Sequence, residues 1–167
     1  MSSPSQPVAQ QLRFVAVSAD DPRARPLLDE LAVEYADRYE TTLPKVTAWM
    51  RSVPAAEFAP PDGGFLIGEV DGVTVTGGAF QRFDERTAEL KRIWTDRAHR
   101  RGGYARALLV ELETVIARRG YRRVYLTTGN RQPEAEALYE SAGYTRLSEP
   151  LPSHGPVFPI AFVKDLP

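Results

Sequence analysis

Ala88-Glu89-Leu90-Lys91-Arg92-Ile93-Trp94-Thr95 runs through Asp96-Arg97-Ala98-His99 into Arg100-Arg101-Gly102-Gly103-Tyr104-Ala105, which couples an extended segment to a glycine-led helix. The polar turn Phe83-Asp84-Glu85-Arg86 bounds the first segment, which reads as a strand. Beyond the glycines, Ala105, Leu108, Leu109, Leu112, Val115 and Ile116 recur at helical spacing until Gly120 supplies a stop. A long buried helix therefore starts at Gly102-Gly103. Glycine lets the unpaired N–H groups of a first helical turn approach an anion, and Arg100, Arg101 and Arg106 add positive charge there. The junction is a candidate phosphate site, and its plain alternative is a tight turn beside a solvated arginine face. No Gly-Lys-Ser/Thr loop and no Gly-x-Gly-x-x-Gly occurs, which weighs against ATPase and dinucleotide readings.

Upstream, Phe65–Val70 and Val73–Phe80 flank Asp71-Gly72, whose residues suit the positive φ angles of a tight hairpin, so these segments and Ala88–Thr95 form an antiparallel meander. Leu12–Val17 reads as a first strand. Leu28, Leu31, Ala32, Tyr35 and Tyr39 mark one face of a helix, and a second short helix covers Leu43–Met50. Pro54, Pro60, Pro61, Gly63 and Gly64 predict a mobile loop. Downstream, Arg123–Thr127 predicts a strand, Pro133 opens a helix that Gly143 ends, and strands follow at Tyr144–Leu147 and Val157–Val163. Strand, helix, strand, helix suggests a parallel pairing.

A chain of 167 residues has the size of one domain, here 11–167, behind a frayed tail over 1–10. Hydrophobic residues at 43% and charged residues at 26% give a globular balance that needs no membrane. Met1–Pro7 has neither a basic start nor an apolar core, so the expectation is a cytoplasmic protein. The absence of cysteine removes thiolate nucleophiles and cysteine metal sites. His99 and His154 are too separated from each other, and from any obvious carboxylate partner, to suggest a metal site, and none is expected. A net charge of −1 gives no support to a nucleic-acid partner, despite the arginines between Arg97 and Arg106.

Arg100-Arg101-Gly102-Gly103-Tyr104-Ala105 resembles the acetyl-CoA signature of the GNAT superfamily of N-acetyltransferases, Gln/Arg-x-x-Gly-x-Gly/Ala, with Arg100, Gly103 and Ala105 at its defining positions. Ala88–Thr95 looks like the strand that precedes this signature in small bacterial members. Thr128-Gly129-Asn130-Arg131-Gln132-Pro133-Glu134-Ala135-Glu136-Ala137-Leu138-Tyr139, followed by Gly143-Tyr144, resembles their second CoA-side motif. The likeness is sharp over 88–144 and looser over the whole chain. Thr95-Asp96-Arg97 lacks a proline often found there, and Gln132 stands where other branches carry asparagine.

This resemblance implies a mixed α/β fold whose mainly antiparallel sheet splays at a central parallel strand pair, with helices on both faces. It implies acetyl-CoA as co-substrate. Backbone groups of Ile93, Trp94 and Thr95 would hold the pantetheine arm, and amides of Arg101, Gly102, Gly103, Tyr104, Ala105 and Arg106 the pyrophosphate, with Arg100 and Gln132 also on the CoA side. Tyr139, the tyrosine of the Leu138-Tyr139 pair, would donate a proton to the departing sulfur. A thiol of pKa about 8.5 makes such a donor useful, and an amine of pKa about 10.4 must lose a proton before it attacks. Glu89 is the candidate relay for that proton, on a face shared with Lys91 and Ile93 by the strand period of two. Each has a plain reading: Tyr139 as a core tyrosine, Glu89 as a solvated or paired carboxylate. Asp84 and Glu85 are lesser candidates for attracting a cationic amine. Tyr35, Tyr39 and Trp49 either line an acceptor pocket or belong to the core.

The expected activity is transfer of an acetyl group to an amine of a small molecule or peptide by direct attack. The alternative is a non-catalytic acyl-CoA-binding or regulatory module. Dimers are common among such enzymes, and Pro159 demotes the strand over 157–163 to an edge or bulged position that could pair in a homodimer.

Overall fold

The computed structural model describes residues 12–129, 133–153 and 158–167. Its frame is one seven-stranded sheet in the order β1-β2-β3-β4-β5-β7-β6. The strands are β1 (Arg13–Ala16), β2 (Gly64–Val70), β3 (Val73–Arg82), β4 (Thr87–Thr95), β5 (Arg123–Thr128), β6 (Thr145–Arg146) and β7 (Ile160–Asp165). The β2–β3 hairpin turns on Asp71 and Gly72, at φ of 51° and 77°. Neighbouring strands pair antiparallel except β4 and β5, which run parallel. The helix between them is the crossover that a parallel pair requires.

The helices are α1 (Arg25–Arg38), α2 (Leu43–Ser52), α3 (Tyr104–Arg118) and α4 (Pro133–Ser141). Asp21 caps the short turn before α1 by accepting from the Arg23 N–H at 2.8 Å, and Thr42 caps α2 by accepting from Lys45 N–H at 3.4 Å. Alternation along the strands divides the apolar residues between two faces. Leu66, Phe80, Ala88, Leu90 and Leu126 meet Leu108, Leu109, Leu112 and Ile116 of α3 and Tyr139 of α4. Phe65, Ile67, Ala79 and Trp94 meet Leu27 and Leu31 of α1 and Val46 and Met50 of α2.

The sheet corrects three expectations. β7 lies between β5 and β6, so Pro159 precedes an interior strand and the proposed edge is covered. The proline-rich stretch after α2 is pinned: Phe58 is buried against Phe65, Tyr121 Oη donates to the Asp62 carbonyl at 2.7 Å, and Arg119 donates to the carbonyls of Pro61 and Gly63. Finally, Glu89 and Ile93 do not share a face.

The cause of that last difference is a bulge. Gly77 pairs with Trp94 and Ala79 with Lys91, so Gly78 faces two residues of β4, Arg92 and Ile93. Arg92 absorbs the extra residue at φ of 59°, the left-handed region. Glu89 and Lys91 keep the α1/α2 face, whereas Ile93 packs with the α3 cluster. Gly78 makes room, since a Cβ there would lie 2.5 Å from Ile93 Cδ1.

Candidate active site

β4 and β5 pair only where Thr87, Ala88 and Glu89 meet Arg123, Val124 and Tyr125. Beyond them the strands part, and a cleft of about 900 Å³ passes between them. Leu138 and Tyr139 of α4 line it from one face of the sheet, and Tyr35, Trp49 and Phe58 from the other.

The floor of the cleft is peptide backbone. Thr76 Oγ1 donates to the Trp94 carbonyl at 2.7 Å, and the Asp96 N–H donates to the Val75 carbonyl at 2.8 Å, which commits those groups to β3. By alternation the N–H and C=O groups of Thr95, between them, point the other way, toward the parted side, and Ile93 lines the cleft directly after the bulge. Thr95 shares its carbonyl with Arg100 Nε at 3.3 Å. Trp94 instead buries its indole with α1 and α2, and its Nε1 has no partner among the described residues.

At the end of this strand the chain turns through Arg101 (φ 69°) and Gly103 (φ 83°) into α3. Glycine meets that left-handed requirement at Gly103 without a Cβ penalty. No side chain among the described residues caps this helix, and Ala107 is the residue whose N–H reaches the Gly103 carbonyl, at 3.1 Å. The amides of Tyr104, Ala105 and Arg106 are thereby left for an outside acceptor. Strand edge followed by uncapped helix amides fits a long ligand with polar amide groups and a diphosphate.

Glu89, Ile93, Trp94, Thr95, Arg100, Arg101, Gly103, Tyr104, Ala105, Arg106 and Tyr139 all line this one cleft. Gly102 sits in the turn between the two left-handed residues, and Gln132 lies outside the described residues, as does His154. The cationic side chains are partly spoken for. Arg100 pairs with Glu34 and stands 4.0 Å from Glu30, both on α1, while Arg106 donates to the Ser141 carbonyl at 2.6 Å and ties α3 to α4. His99 does have a carboxylate partner: its Nδ1 lies 2.6 Å from Asp96 Oδ2.

Tyr139 packs on Tyr144 and Phe162 at ring distances of 5.8 and 5.7 Å, and its hydroxyl has no hydrogen-bond partner among the described residues. Burial holds its phenol well above the ordinary tyrosine range, with Tyr35 a smaller contributor. Glu89 is 6% exposed, accepts from Gln81 Nε2 at 3.2 Å and lies 3.3 Å from Lys91 Nζ. Asp84 instead accepts from the Arg86 N–H at 2.9 Å within the β3–β4 turn, outside the cleft lining.

Tyr35 and Trp49 line the cleft with Phe158, to which their rings lie at 6.4 Å each, and Tyr39 joins them at 5.9 Å from Phe158. Burial, then the neighbouring Tyr39, pushes the Tyr35 phenol up to about 12. Phe158 and Arg92 had no sequence signal: the one is far from the motifs, the other looks like any strand arginine. Arg38 of α1 pairs with Glu134 of α4, joining helices that lie on opposite faces of the sheet.

The fold recurs in solved structures of low sequence identity. A putative acyl-CoA N-acyltransferase from Klebsiella pneumoniae superposes with a TM-score of 0.72 at 23% identity, over 93% of this chain and 97% of that one. The PaiA N-acetyltransferase of Thermoplasma acidophilum, solved in complex with coenzyme A, gives 0.70 at 16% identity over 93% and 99%. In sequence, the chain is 35% identical over 80 residues to an uncharacterized N-acetyltransferase, YsnE, of Bacillus subtilis. That stretch is 47% of this chain and spans about half of the relative's length, 52%. The sequence profile of the Acetyltransferase (GNAT) family matches residues 14–144, which takes in the meander, the parted strands and the glycine turn, and the chain belongs to that family.

Proposed function

We propose that the protein is an acetyl-CoA-dependent N-acetyltransferase acting on an amine of a small molecule or peptide by direct attack. One observation carries the reading: the parted β4 and β5 lead directly to the uncapped amides of α3, in the same cleft as Tyr139 and Glu89. Acetyl-CoA supplies the acetyl group as an activated thioester.

The chain's residues divide the remaining work. Ile93 and Thr95 offer backbone groups to the amide-bearing arm, and the amides of Tyr104, Ala105 and Arg106 receive the diphosphate at a positive helix end. In this reading a backbone donor of the bulged stretch of β4 stabilises the charge that grows on the acyl oxygen. Glu89 accepts the proton that the amine gives up, directly or through water. Tyr139, kept protonated by its apolar surroundings, donates to the sulfur. The balance is closed: the nitrogen–carbon bond forms, the carbon–sulfur bond breaks with its electron pair on sulfur, one proton leaves the amine and one reaches the thiolate.

Isothermal titration with acetyl-CoA, then a thiol-release assay over a panel of amines, tests the proposal. Binding with turnover supports it. Binding without turnover on any amine favours the alternative of a non-catalytic acyl-CoA sensor, and no binding overturns the phosphate-site argument.

A further inference from the structure

The acidic side chains lining the cleft are matched to cations with one exception. Glu34 pairs with Arg100, Glu89 with Lys91 and Glu134 with Arg38, while Glu57 is exposed and forms no ion pair with another described residue. Arg92 is left over. Its guanidinium lies over the Phe58 ring, 5.2 Å from the centroid, and donates from Nη2 to the Met50 carbonyl at 2.7 Å. No carboxylate among the described residues pairs with it, and residues 1–11, 130–132 and 154–157 contain no Asp or Glu. Burial lowers its pKa, with Tyr35 the sole counterweight, which reports the same unanswered charge.

A partly buried guanidinium without a carboxylate is costly, and its fork of five donors suits a planar anion bound through two parallel bonds. The location is as telling as the charge. Arg92 is the bulged residue of β4, directly before Ile93, which lines the cleft, and it leans toward the α1/α2 face with Trp49, Phe58 and Phe158. An anion there sits beside the reacting amine and away from the helix amides at the other end.

We propose that Arg92 anchors a carboxylate of the acceptor, so that the acceptor is an amine bearing a free carboxylate and an apolar or aromatic substituent, as an amino acid does. The inference rests on the preceding reading only in taking this end of the cleft as the acceptor side. The carboxylate bridges to Arg92, and the substituent lies against Tyr35, Trp49 and Phe158. The product is the N-acetyl derivative, with its carboxylate intact.

The test uses the products as probes. N-acetyl-L-phenylalanine and N-acetyl-L-leucine are titrated against their carboxamides, with and without coenzyme A, on the wild type, Arg92→Asn and Arg92→Lys. Asparagine tolerates the left-handed backbone. The wild type is expected to prefer the carboxylates by about 10- to 100-fold, Arg92→Asn to lose that preference and Arg92→Lys to keep part of it. Turnover should follow the same order, with phenylalanine and leucine favoured over phenethylamine and isoamylamine. Equal binding of carboxylate and carboxamide to the wild type overturns the proposal, even if the variants fail to fold. So does a preference that survives in Arg92→Asn. A chain that does not bind acetyl-CoA overturns the preceding reading instead, while the titrations without coenzyme A still decide the role of Arg92.

Discussion

Lys91 Nζ lies 3.3 Å from Glu89 Oε2 on one face of β4, and the pair lines the cleft before the bulge. If Glu89 takes the amine proton, Glu89→Gln should lower kcat by about 10²-fold or more, since a positioned base contributes on that scale. Acetyl-CoA affinity should stay within about twofold, because the proposed diphosphate site lies at the other end of the cleft. Steady-state kinetics alongside titration of acetyl-CoA checks both halves, and an unchanged kcat removes Glu89 from the chemistry.

Tyr139→Phe separates chemistry from packing. The hydroxyl has no partner among the described residues, so its loss should leave stability unchanged or raise it by about 1 kcal/mol. Turnover should fall by about 10²-fold if the hydroxyl is the acid. A variant with full turnover shows Tyr139 to be a core tyrosine, and one with a lower denaturation midpoint shows that the hydroxyl is bonded.

The buried phenols make the fold sensitive to alkali. Tyr35 is pushed up to about 12 by burial, and Tyr139 and Tyr144 are raised by burial too, Tyr144 also by Glu113, whose carboxylate accepts from its hydroxyl at 3.0 Å. In the unfolded chain tyrosine ionises near its ordinary value of about 10. Above that pH the unfolded state sheds protons that the native state keeps, so stability present below pH 10 should decline as pH rises from about 10 to 12. Denaturant midpoints across that range, with phenolate absorbance as the titration readout, should show the loss, and Tyr139→Phe should lessen it.

The parting of β4 from β5 was expected from the family resemblance alone, whereas the meander and the crossover helix were legible because each has a local cause: Asp71-Gly72 for the hairpin, Gly103 for the helix start, apolar spacing for α3. The bulge was not. A strict alternation put Ile93 beside Glu89, and the reason it fails is long-range: Ile93 fills the space left by Gly78 on the next strand and packs with the α3 cluster. Tyr139 could be read from a motif, and Tyr35 and Trp49 were already open to an acceptor-pocket reading, whereas the proposed acceptor side also draws on Arg92 and Phe158, which no local pattern joins to them.

Gly78→Ala probes that bulge directly. The added methyl would lie 2.5 Å from Ile93 Cδ1 and 3.3 Å from Leu112 Cδ1, so Ile93 must move. Overpacking of this kind costs about 1–3 kcal/mol. Acetyl-CoA binding should weaken together with stability, since the same shift disturbs the Ile93 backbone. A stable variant with wild-type affinity would show that the bulge yields without moving the cleft.

Arg100→Ala should change stability by less than about 1 kcal/mol, because its pairing with Glu34 is partly exposed. It should weaken acetyl-CoA binding by about tenfold at low salt, with a smaller gap at high salt, where exposed charges are screened. Glu34→Gln should move affinity the opposite way, by releasing the guanidinium from α1. Titrations of both variants at two salt concentrations decide this.

The parted strands have a consequence for the order of events. The cleft is lined from both faces of the sheet, and the clasp of Arg38 and Glu134 joins the helices on either side. If acetyl-CoA and the amine take opposite faces of the proposed site, neither blocks the other. Two reactants can be resident together, neither must depart before the next arrives, and double-reciprocal plots for the pair should intersect rather than run parallel.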